Sequence, residues 1–391
     1  MLNTIAKKYI ARHKIRVRVD FQKKYNAVVV IPVLADDMLF ETLQSLDNAK
    51  IPQKNIAVLV VVNHSEHASP EEKQQNKLIL SELQAHTQAF QFDLYSLALF
   101  DLPEKKSGVG VARKAGMDQA LLHFVTYGNT SGIIVSLDAD TVVQHNYFEV
   151  LFRHFKEHPK TNAVIFNFKH QPAVNDDLQQ AIDRYELYLR YYIEALRWTG
   201  FPFAFYTIGS AFAVSAKAYV AVSGMSQNKA GEDFYFLHKV FPMGEIYAIE
   251  ETTVFPSPRI SHKTPFGTGQ AVAELIENEF LLETYPFEWF GWLKQFFETI
   301  DLFYDASTQD IRSIILSFHP MLQAFLKTID FEKVIFKLQS NTVSRERFRK
   351  AFFIWFDGFK VVKFLNFTAQ QLPKKDVSEC YLSLLSALTD S

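Results

Sequence analysis

The stretch AVVVIPVLADDMLFETLQSL, residues 27–46, decides the fold together with IAVLVVVN at residues 56–63. Each stretch contains an apolar run, which is typical of a strand covered on both faces of a parallel sheet. Between the runs, leucines recur at helical spacing, at Leu39, Leu43 and Leu46. Asp36 or Asp37 is the expected N-cap of this helix. The segment therefore predicts a strand, a helix and a second strand.

The same alternation continues through the first half of the chain. The pattern predicts a polar helix near residues 70–90, a strand near 91–100, a helix near 110–126 and a strand GIIVSL at 132–137. Strands that alternate with helices indicate an α/β fold with a mostly parallel sheet. Ligands of such sheets bind beyond the carboxyl ends of the strands.

The alternation stops after residue 175, and from about residue 271 the pattern is helical. The helical part is rich in phenylalanine, with 17 of the 37 phenylalanines after residue 270. We therefore divide the chain into a basic N-terminal segment (1–25), an α/β domain (26–270) and a Phe-rich helical C-terminal region (271–391).

The composition limits the kind of partner and the compartment. With 41 basic and 43 acidic residues the net charge is -2, which argues against a general nucleic-acid binder. The single cysteine, Cys380, allows no intramolecular disulfide and suits a reducing cytoplasm. We find no secretory signal and no apolar stretch of the ~20 residues that span a bilayer.

The segment RERFRKAFFIWFDGFKVVKFLNF, residues 345–367, mixes basic and aromatic residues at roughly helical spacing. One interpretation is a helix that packs its phenylalanines on the domain. The other is a helix lying on the cytoplasmic face of a membrane as a peripheral contact. The sequence leaves both open.

Two aspartates follow the fourth predicted strand in LDADTVV, residues 137–143. Asp138 and Asp140 could hold a hard divalent cation and a ligand hydroxyl, because Mg²⁺ and Mn²⁺ prefer oxygen ligands and often bridge to phosphates. The alternative is that Asp140 or Thr141 caps a following helix.

Three further segments carry candidate chemistry. In AGEDFYFLHKV, residues 230–240, Glu232 and Asp233 open a predicted helix, where one carboxylate could act as a general base or both could favour the helix dipole. In GVGVARKAG, Arg113 near a helix start could face an anion or solvent. In PSPRISHKTPFGTG, His262 could complete a metal site or stay exposed.

The order of these segments resembles glycosyltransferase family 2, of the GT-A fold, over about residues 26–255. That fold is a Rossmann-like, mostly parallel sheet with flanking helices. The resemblance implies transfer of a sugar from a nucleotide-diphosphate sugar to a hydroxyl acceptor, such as a glycan or glycolipid in polysaccharide biosynthesis. It also implies inversion, a carboxylate base and Mn²⁺ or Mg²⁺. The absence of a clear Q-x-x-R-W segment disfavours a processive synthase.

The resemblance assigns roles by position. Asp140 matches the metal-binding aspartate of the D-x-D motif, with Asp138 near the ribose or base of the nucleotide. Asp233, or else Glu232, matches the catalytic base. The nucleotide-binding matches are the opening-loop residue Pro32, the segment arginine Arg113 and, where the family usually has an aspartate, Asn63.

Two other functions remain open. A sugar-phosphate nucleotidyltransferase shares the nucleotide-binding sheet, but it should carry a Gly-rich loop after the first strand, which IPVLADDM lacks. The second alternative is a catalytically degenerate GT-A domain that only binds. Its carboxylates argue against it.

Overall fold

The computed structural model describes residues 2–13, 15, 18–51, 55–87, 89–227, 231–261 and 267–389. The chain forms two compact units. The first unit comprises residues 1–174 and 207–270, and the second comprises residues 175–206 and 271–391.

Sixteen helices and ten strands are found in these described ranges. The first half of the chain contains α1 (Leu2–His13), β1 (Ala27–Val33), α2 (Leu39–Asn48), β2 (Ile56–Ser65), α3 (Pro70–Ala85), β3 (Asp93–Leu102), α4 (Val109–Thr126), β4 (Ile133–Ser136), β5 (Thr141–Val143), α5 (Tyr147–Glu157), β6 (Ala163–Phe168) and α6 (Asp176–Trp198). The second half contains β7 (Phe212–Ser215), α7 (Ala216–Ala221), α8 (Glu232–Val240), β8 (Ile246–Pro256), α9 (Thr268–Glu277), β9 (Glu283–Thr284), α10 (Phe287–Glu298), α11 (Thr308–Leu316), α12 (Pro320–Thr328), α13 (Phe331–Asn341), α14 (Arg345–Trp355), α15 (Gly358–Ala369), β10 (Lys375–Asp376) and α16 (Val377–Thr389).

The first unit is built on an eight-stranded sheet with the order β3-β2-β1-β4-β7-β6-β8-β5. Strand β1 pairs in parallel with β2 and β4, β2 pairs in parallel with β3, and β6 with β8. Strands β7 and β5 run antiparallel to their neighbours. The predicted α/β class, with a mostly parallel sheet, flanking helices and a helical C-terminal region, is confirmed.

The opening strand-helix-strand unit is confirmed, but its predicted N-cap is wrong. All residues of β1 are buried, and the three spaced leucines of α2 are buried as well. The N-cap position is Met38, and no side chain caps the helix there. Asp36 accepts a hydrogen bond from the Met38 N–H at 3.2 Å, and its carboxylate also binds Arg259. The aspartate is therefore committed to an ion pair and not to the helix.

Helix α4 lies close against the centre of the sheet because Gly116 has no side chain. A Cβ at this position would lie 2.3 Å from Val30 Cγ1 and 3.0 Å from Val61 Cγ2. The helix follows β3, so its N-terminus starts at the carboxyl edge of the parallel strands. This packing fixes the position of Arg113, in the first turn of α4, relative to the carboxyl edge of the sheet.

The N-terminal helix α1 is joined to α4 and α7 by a buried polar cluster. Asp118 Oδ1 accepts from the hydroxyls of Tyr9 and Tyr219, each at 2.7 Å. Its Oδ2 accepts from Lys114 Nζ at 2.6 Å, and Lys114 also donates to Tyr9. Lys114 therefore stabilises the fold and does not face an anion-binding edge.

The second unit is a helical bundle around an aromatic core. Five phenylalanines of the segment 345–367 are almost fully buried in this core, at Phe348, Phe352, Phe353, Phe356 and Phe364. Their contacts are with other rings, such as Phe296 against Phe352 at 5.6 Å. These side chains form part of the core of the unit, as the first interpretation of the segment expects. No helix of the described ranges combines the length and apolar character needed to cross a bilayer.

Helix α6 belongs to the second unit, whereas the sequence division places it within 26–270. The buried face of α6, including Tyr191, Ala195 and Leu196, lies in the same hydrophobic cluster as Trp289 and Phe290. The Tyr191 hydroxyl also donates to the Tyr285 carbonyl at 2.7 Å. Packing with residues about a hundred positions later therefore decides where this helix belongs.

We expect Asp118→Asn to lower the free energy of unfolding by about 3 kcal/mol, because a buried ammonium on Lys114 would lose its counter-ion. The measurement is urea unfolding followed by circular dichroism. Glu149→Gln is the control, because it breaks only the exposed pair with Lys50 and should cause no measurable loss. Equal losses in the two variants would contradict the role given to Asp118.

Candidate functional site

Candidate residues gather at one edge of the sheet, where parallel strands end. Asp36 follows β1, Asn63 lies near the end of β2, and Asp138 and Asp140 follow β4. Because β1, β2 and β4 are parallel neighbours, their carboxyl ends meet at the same edge. The parallel pairing therefore explains why these side chains lie at one edge of the sheet.

The D-x-D segment forms a turn between two strands. Strand β4 ends at Ser136, and β5 begins at Thr141 and pairs with β8. Thr42 of α2 donates to the Ala139 carbonyl at 2.9 Å and holds the middle of the turn. The alternative that Asp140 or Thr141 caps a following helix is wrong, because a strand follows and α5 begins only after its N-cap Asn146.

Arg113 connects the D-x-D turn to the start of α8. Its Nη2 donates to Asp138 Oδ1 at 2.7 Å, and its Nε donates to Glu232 Oε1 at 3.0 Å. Its Nη1 donates to Ser136 Oγ at 2.7 Å and to the Gly209 carbonyl at 3.1 Å. Four of the five guanidinium hydrogens are thus used within the protein. Arg113 therefore holds two carboxylates in position.

The charge of Arg113 is preserved despite complete burial. Burial by itself would lower the pKa of its guanidinium, but Asp138, Glu232 and Asp233 outweigh burial and raise it above the ordinary value. The group is therefore a permanent cation. Removing one of its carboxylates would leave a buried charge with poorer compensation.

Gly209 provides the space for this arrangement. A Cβ at this residue would lie 2.8 Å from Arg113 Nη2 and 3.1 Å from Asp233 Oδ2. The Ser136 hydroxyl donates to the Gly209 carbonyl at 2.7 Å and fixes that segment. Neither Ser136 nor Gly209 was among the candidates from sequence. The only available signals were their places at the end of β4 and just before β7.

Glu232 and Asp233 are adjacent, but their surroundings differ. Gly231 precedes them with a left-handed φ of 68°, and α8 begins at Glu232. The Glu232 side chain is 3% exposed and is bound to Arg113. Asp233 is partly exposed; its Oδ1 accepts from the Phe234 N–H at 2.7 Å, and its Oδ2 has no hydrogen-bond partner within the described residues. Asp233 is therefore the carboxylate with an oxygen to offer a ligand.

The Asp233 carboxyl holds its proton to an unusually high pH. Burial raises its pKa to about 7, and the neighbouring charge of Glu232 adds to the rise, while Arg113 opposes both. A carboxylate with a pKa near neutrality accepts a proton more effectively than an ordinary aspartate. This environment suits a general base.

Asp140 is held from the opposite side by Arg259. The pairing of Thr141 with Pro256 brings the loop after β8 to the D-x-D turn. Arg259 Nη2 donates to Asp140 Oδ2 at 3.0 Å, and the same guanidinium binds both oxygens of Asp36. Burial raises the pKa of Asp140 to about 6, with Asp138 acting in the same direction and Arg259 against it.

Asn63 presents an acceptor oxygen at the same edge. Its Nδ2 donates to the Val33 carbonyl at 2.9 Å, which fixes the direction of the amide. Its Oδ1 is buried without a hydrogen-bond partner within the described residues. Such an atom is costly unless a ligand or water satisfies it. Pro32, in contrast, is buried within β1 opposite Val61.

The metal-ligating candidates are only partly within the described residues. His262 lies outside them. In the ranges that are described, no group of three or more His, Cys, Asp or Glu side chains is placed to hold a metal. Asp138 and Asp140 do offer two carboxylates at the ligand edge. Such a pair fits a hard cation that takes its other oxygens from phosphates and water.

Comparison with known proteins identifies a family for part of the chain. Residues 28–219 match the family described as Glycosyl transferase family 2. No curated protein sequence gives a significant match.

The solved structures that match the chain include residues 1–349 of TarS from S. aureus in complex with UDP-GlcNAc. The match has 12% identity and a TM-score of 0.44, and it covers 83% of this chain and 89% of that one. Another is the mannosyltransferase PcManGT from Pyrobaculum calidifontis in complex with GDP-Man and Mn²⁺, at 12% identity and a TM-score of 0.40, covering 92% and 100%. Scores this low carry no argument about substrate or metal.

The pKa of Asp233 predicts how stability depends on pH. The folded protein keeps the Asp233 proton up to about pH 7, whereas an aspartate in the unfolded chain loses it near about pH 4. Between these values the folded state binds more protons, so the contribution of Asp233 to the free energy of unfolding falls as the pH rises. We expect the free energy of unfolding of Asp233→Asn to fall less steeply than that of the wild type between about pH 4 and about pH 7.

The measurement is urea unfolding of both proteins at a series of pH values. Glu149→Gln is the control, because it breaks an exposed pair with Lys50 and should leave the pH dependence of the wild type unchanged. Parallel curves for the wild type and Asp233→Asn across pH 4 to 7 would contradict the raised pKa.

Proposed function

Since residues 28–219 belong to glycosyl transferase family 2, we propose that the chain transfers a sugar from a nucleotide-diphosphate sugar to an acceptor hydroxyl. The observation that carries the proposal is the bridge made by Arg113 between Asp138 and Glu232. Asp138 belongs to the D-x-D motif, to which the family resemblance assigns donor binding. Glu232 belongs to the segment to which it assigns the catalytic base. One buried cation keeps both motifs at one edge of the sheet.

On the donor side, we assign the nucleobase to Asn63. Its unpaired Oδ1 can accept from the imide N–H of a base such as uracil, which is the role of the aspartate usual in the family. The hydrogen bond to Val33 prevents the amide from presenting its NH₂ group instead. Asp138 would accept from a ribose hydroxyl with the oxygen that Arg113 does not use.

Asp140 would also hold Mn²⁺ or Mg²⁺ with the donor diphosphate. When bound, such a cation stabilises the negative charge that develops on the departing diphosphate. The cation would be surrounded by carboxylate oxygens, by the turn that Thr42 holds, and by the neighbouring guanidinium of Arg259.

On the acceptor side, we assign the base to Asp233. Its Oδ2 would take the proton of the acceptor hydroxyl while the hydroxyl oxygen attacks the anomeric carbon and the bond to the diphosphate breaks. Direct attack of this kind inverts the anomeric configuration. Glu232 is bound to Arg113 and would position the site without exchanging a proton.

The acceptor in this proposal is a hydroxyl of a glycan or a lipid-linked sugar, and the location is the cytoplasm. The location rests on the lone, buried cysteine. A sugar-phosphate nucleotidyltransferase is less well supported, because Asp233 has the environment of a base for a neutral hydroxyl and a phosphate nucleophile needs none. A binding module without turnover is an outcome of the second experiment below.

The donor assignment is tested with UDP-, GDP- and dTDP-sugars, with Mn²⁺ or EDTA, by thermal shift and donor hydrolysis. We expect at least one donor to stabilise the protein only with metal. Asp140→Ala should abolish this metal-dependent binding, and Asn63→Leu should weaken it by about tenfold, because a buried polar partner is lost. Glu149→Gln is the matched surface control. No stabilisation by any donor with metal would overturn the proposal.

The assignment of the base is tested by comparing Asp233→Asn with Glu232→Gln. Asp233→Asn should keep donor affinity and lower transfer by at least about a hundredfold, because a general base is lost. The wild-type rate should rise with pH through about 7 and then level off, since the base must be ionised. Glu232→Gln should mainly lower thermal stability. Unchanged turnover in Asp233→Asn would exclude it as the base, and donor binding with no turnover in the wild type would favour a binding module.

A further inference from the structure

Arg259 occupies the position between two acidic residues that come from distant parts of the chain. Asp36 follows β1 and is 9% exposed, Asp140 follows β4 and is 23% exposed, and Arg259 itself is 33% exposed. The guanidinium binds Asp36 through both of its terminal nitrogens. The contact with Asp140 uses one Nη2 hydrogen on one oxygen. Arg259 is thus held more firmly by Asp36 than by Asp140.

The backbone that carries Arg259 is fixed to the same turn. The Ser257 N–H donates to the Asp140 carbonyl at 3.0 Å, and Gln171 Nε2 donates to that carbonyl at 3.2 Å and to the Phe255 carbonyl at 2.9 Å. The start of the loop therefore stays beside Asp140 whatever the side chain does. Moving the guanidinium off Asp140 therefore needs no change in this backbone.

The charges explain why such a move would occur. Asp36, Asp138 and Asp140 place three carboxylates near one another, and Arg259 is the cation that faces Asp140. A divalent cation on Asp140 would lie a few ångströms from the guanidinium and repel it. A diphosphate arriving with that cation offers charged oxygens that accept the Nη2 hydrogen now on Asp140 in a charge-assisted hydrogen bond.

We propose that Arg259 is a placeholder cation, which neutralises Asp140 in the donor-free protein and gives it up to the divalent cation of the donor complex. Asp36 remains the pivot, and the freed Nη2 hydrogen turns to the diphosphate. Arg259 thereby disfavours metal binding without donor and favours the two together. This inference rests on the proposed function, and it adds an order in which metal and donor are bound.

The test measures Mn²⁺ binding by isothermal titration calorimetry and by the loss of the free Mn²⁺ signal in electron paramagnetic resonance. Arg259→Gln should bind Mn²⁺ about tenfold more tightly than the wild type without nucleotide, because a competing charge is removed. With Mn²⁺ present, the same variant should bind a nucleoside diphosphate, such as UDP, about tenfold more weakly. Arg153→Gln, which breaks only the exposed pair with Glu251, is the matched control and should change neither value.

A second variant separates competition from simple attraction. Asp36→Asn removes the pivot and leaves the guanidinium to Asp140, so Mn²⁺ binding without nucleotide should weaken. This loss should disappear in the double variant Asp36→Asn with Arg259→Gln. An equal loss in both backgrounds would mean that Asp36 only attracts the cation, and would overturn the placeholder role.

The outcomes for the two proposals are distinct. Unchanged or weaker Mn²⁺ binding by Arg259→Gln, in a protein that binds UDP with metal, would overturn the placeholder and leave the proposed function intact. If neither protein bound Mn²⁺ with or without any nucleotide, both the placeholder and the metal part of the proposed function would be overturned.

Discussion

The buried guanidinium of Arg113 is the constraint on which the arrangement of the site depends. A cation in this position is stable only while carboxylates and carbonyls surround it, and they come from three separate elements. The turn after β4, the segment before β7 and the first residue of α8 must therefore approach the first turn of α4 together. Residues up to 119 positions apart in sequence are joined in this way.

The same interaction separates the roles of two neighbouring carboxylates. Glu232 is bound to Arg113, whereas Asp233 turns one oxygen to its own helix and has no partner among the described residues for the other. Its environment keeps the proton on Asp233 to about pH 7, so the two groups differ in chemistry although they are adjacent in sequence. Carboxylates of one site commonly divide acid, base and structural roles through such differences in environment.

Helix α4 carries two buried cations whose side chains bind different groups of partners. Arg113 turns to the ligand edge, and Lys114 turns to Asp118 and the tyrosines that hold α1 and α7. The contacts of Lys114 with Asp118 and Tyr9 hold α4 in place, and the position of Arg113 depends on this helix. Arg259 adds a third cation at the far side of the D-x-D turn, where its partner Asp140 is also the proposed metal ligand.

The sequence by itself determined the order of strands and helices up to β4, and it placed Asp138 and Asp140 at the carboxyl end of that strand. It could do so because apolar runs and helical periodicity are local, and because the carboxyl ends of parallel strands always meet. Only the tertiary structure decided which partner each side chain has. The strand after Asp140, the pairing of Asp36 with Arg259, the space at Gly209 and the unit to which α6 belongs all depend on contacts between distant residues. Such contacts leave no local pattern, because their energy comes from burial and charge pairing in the folded chain.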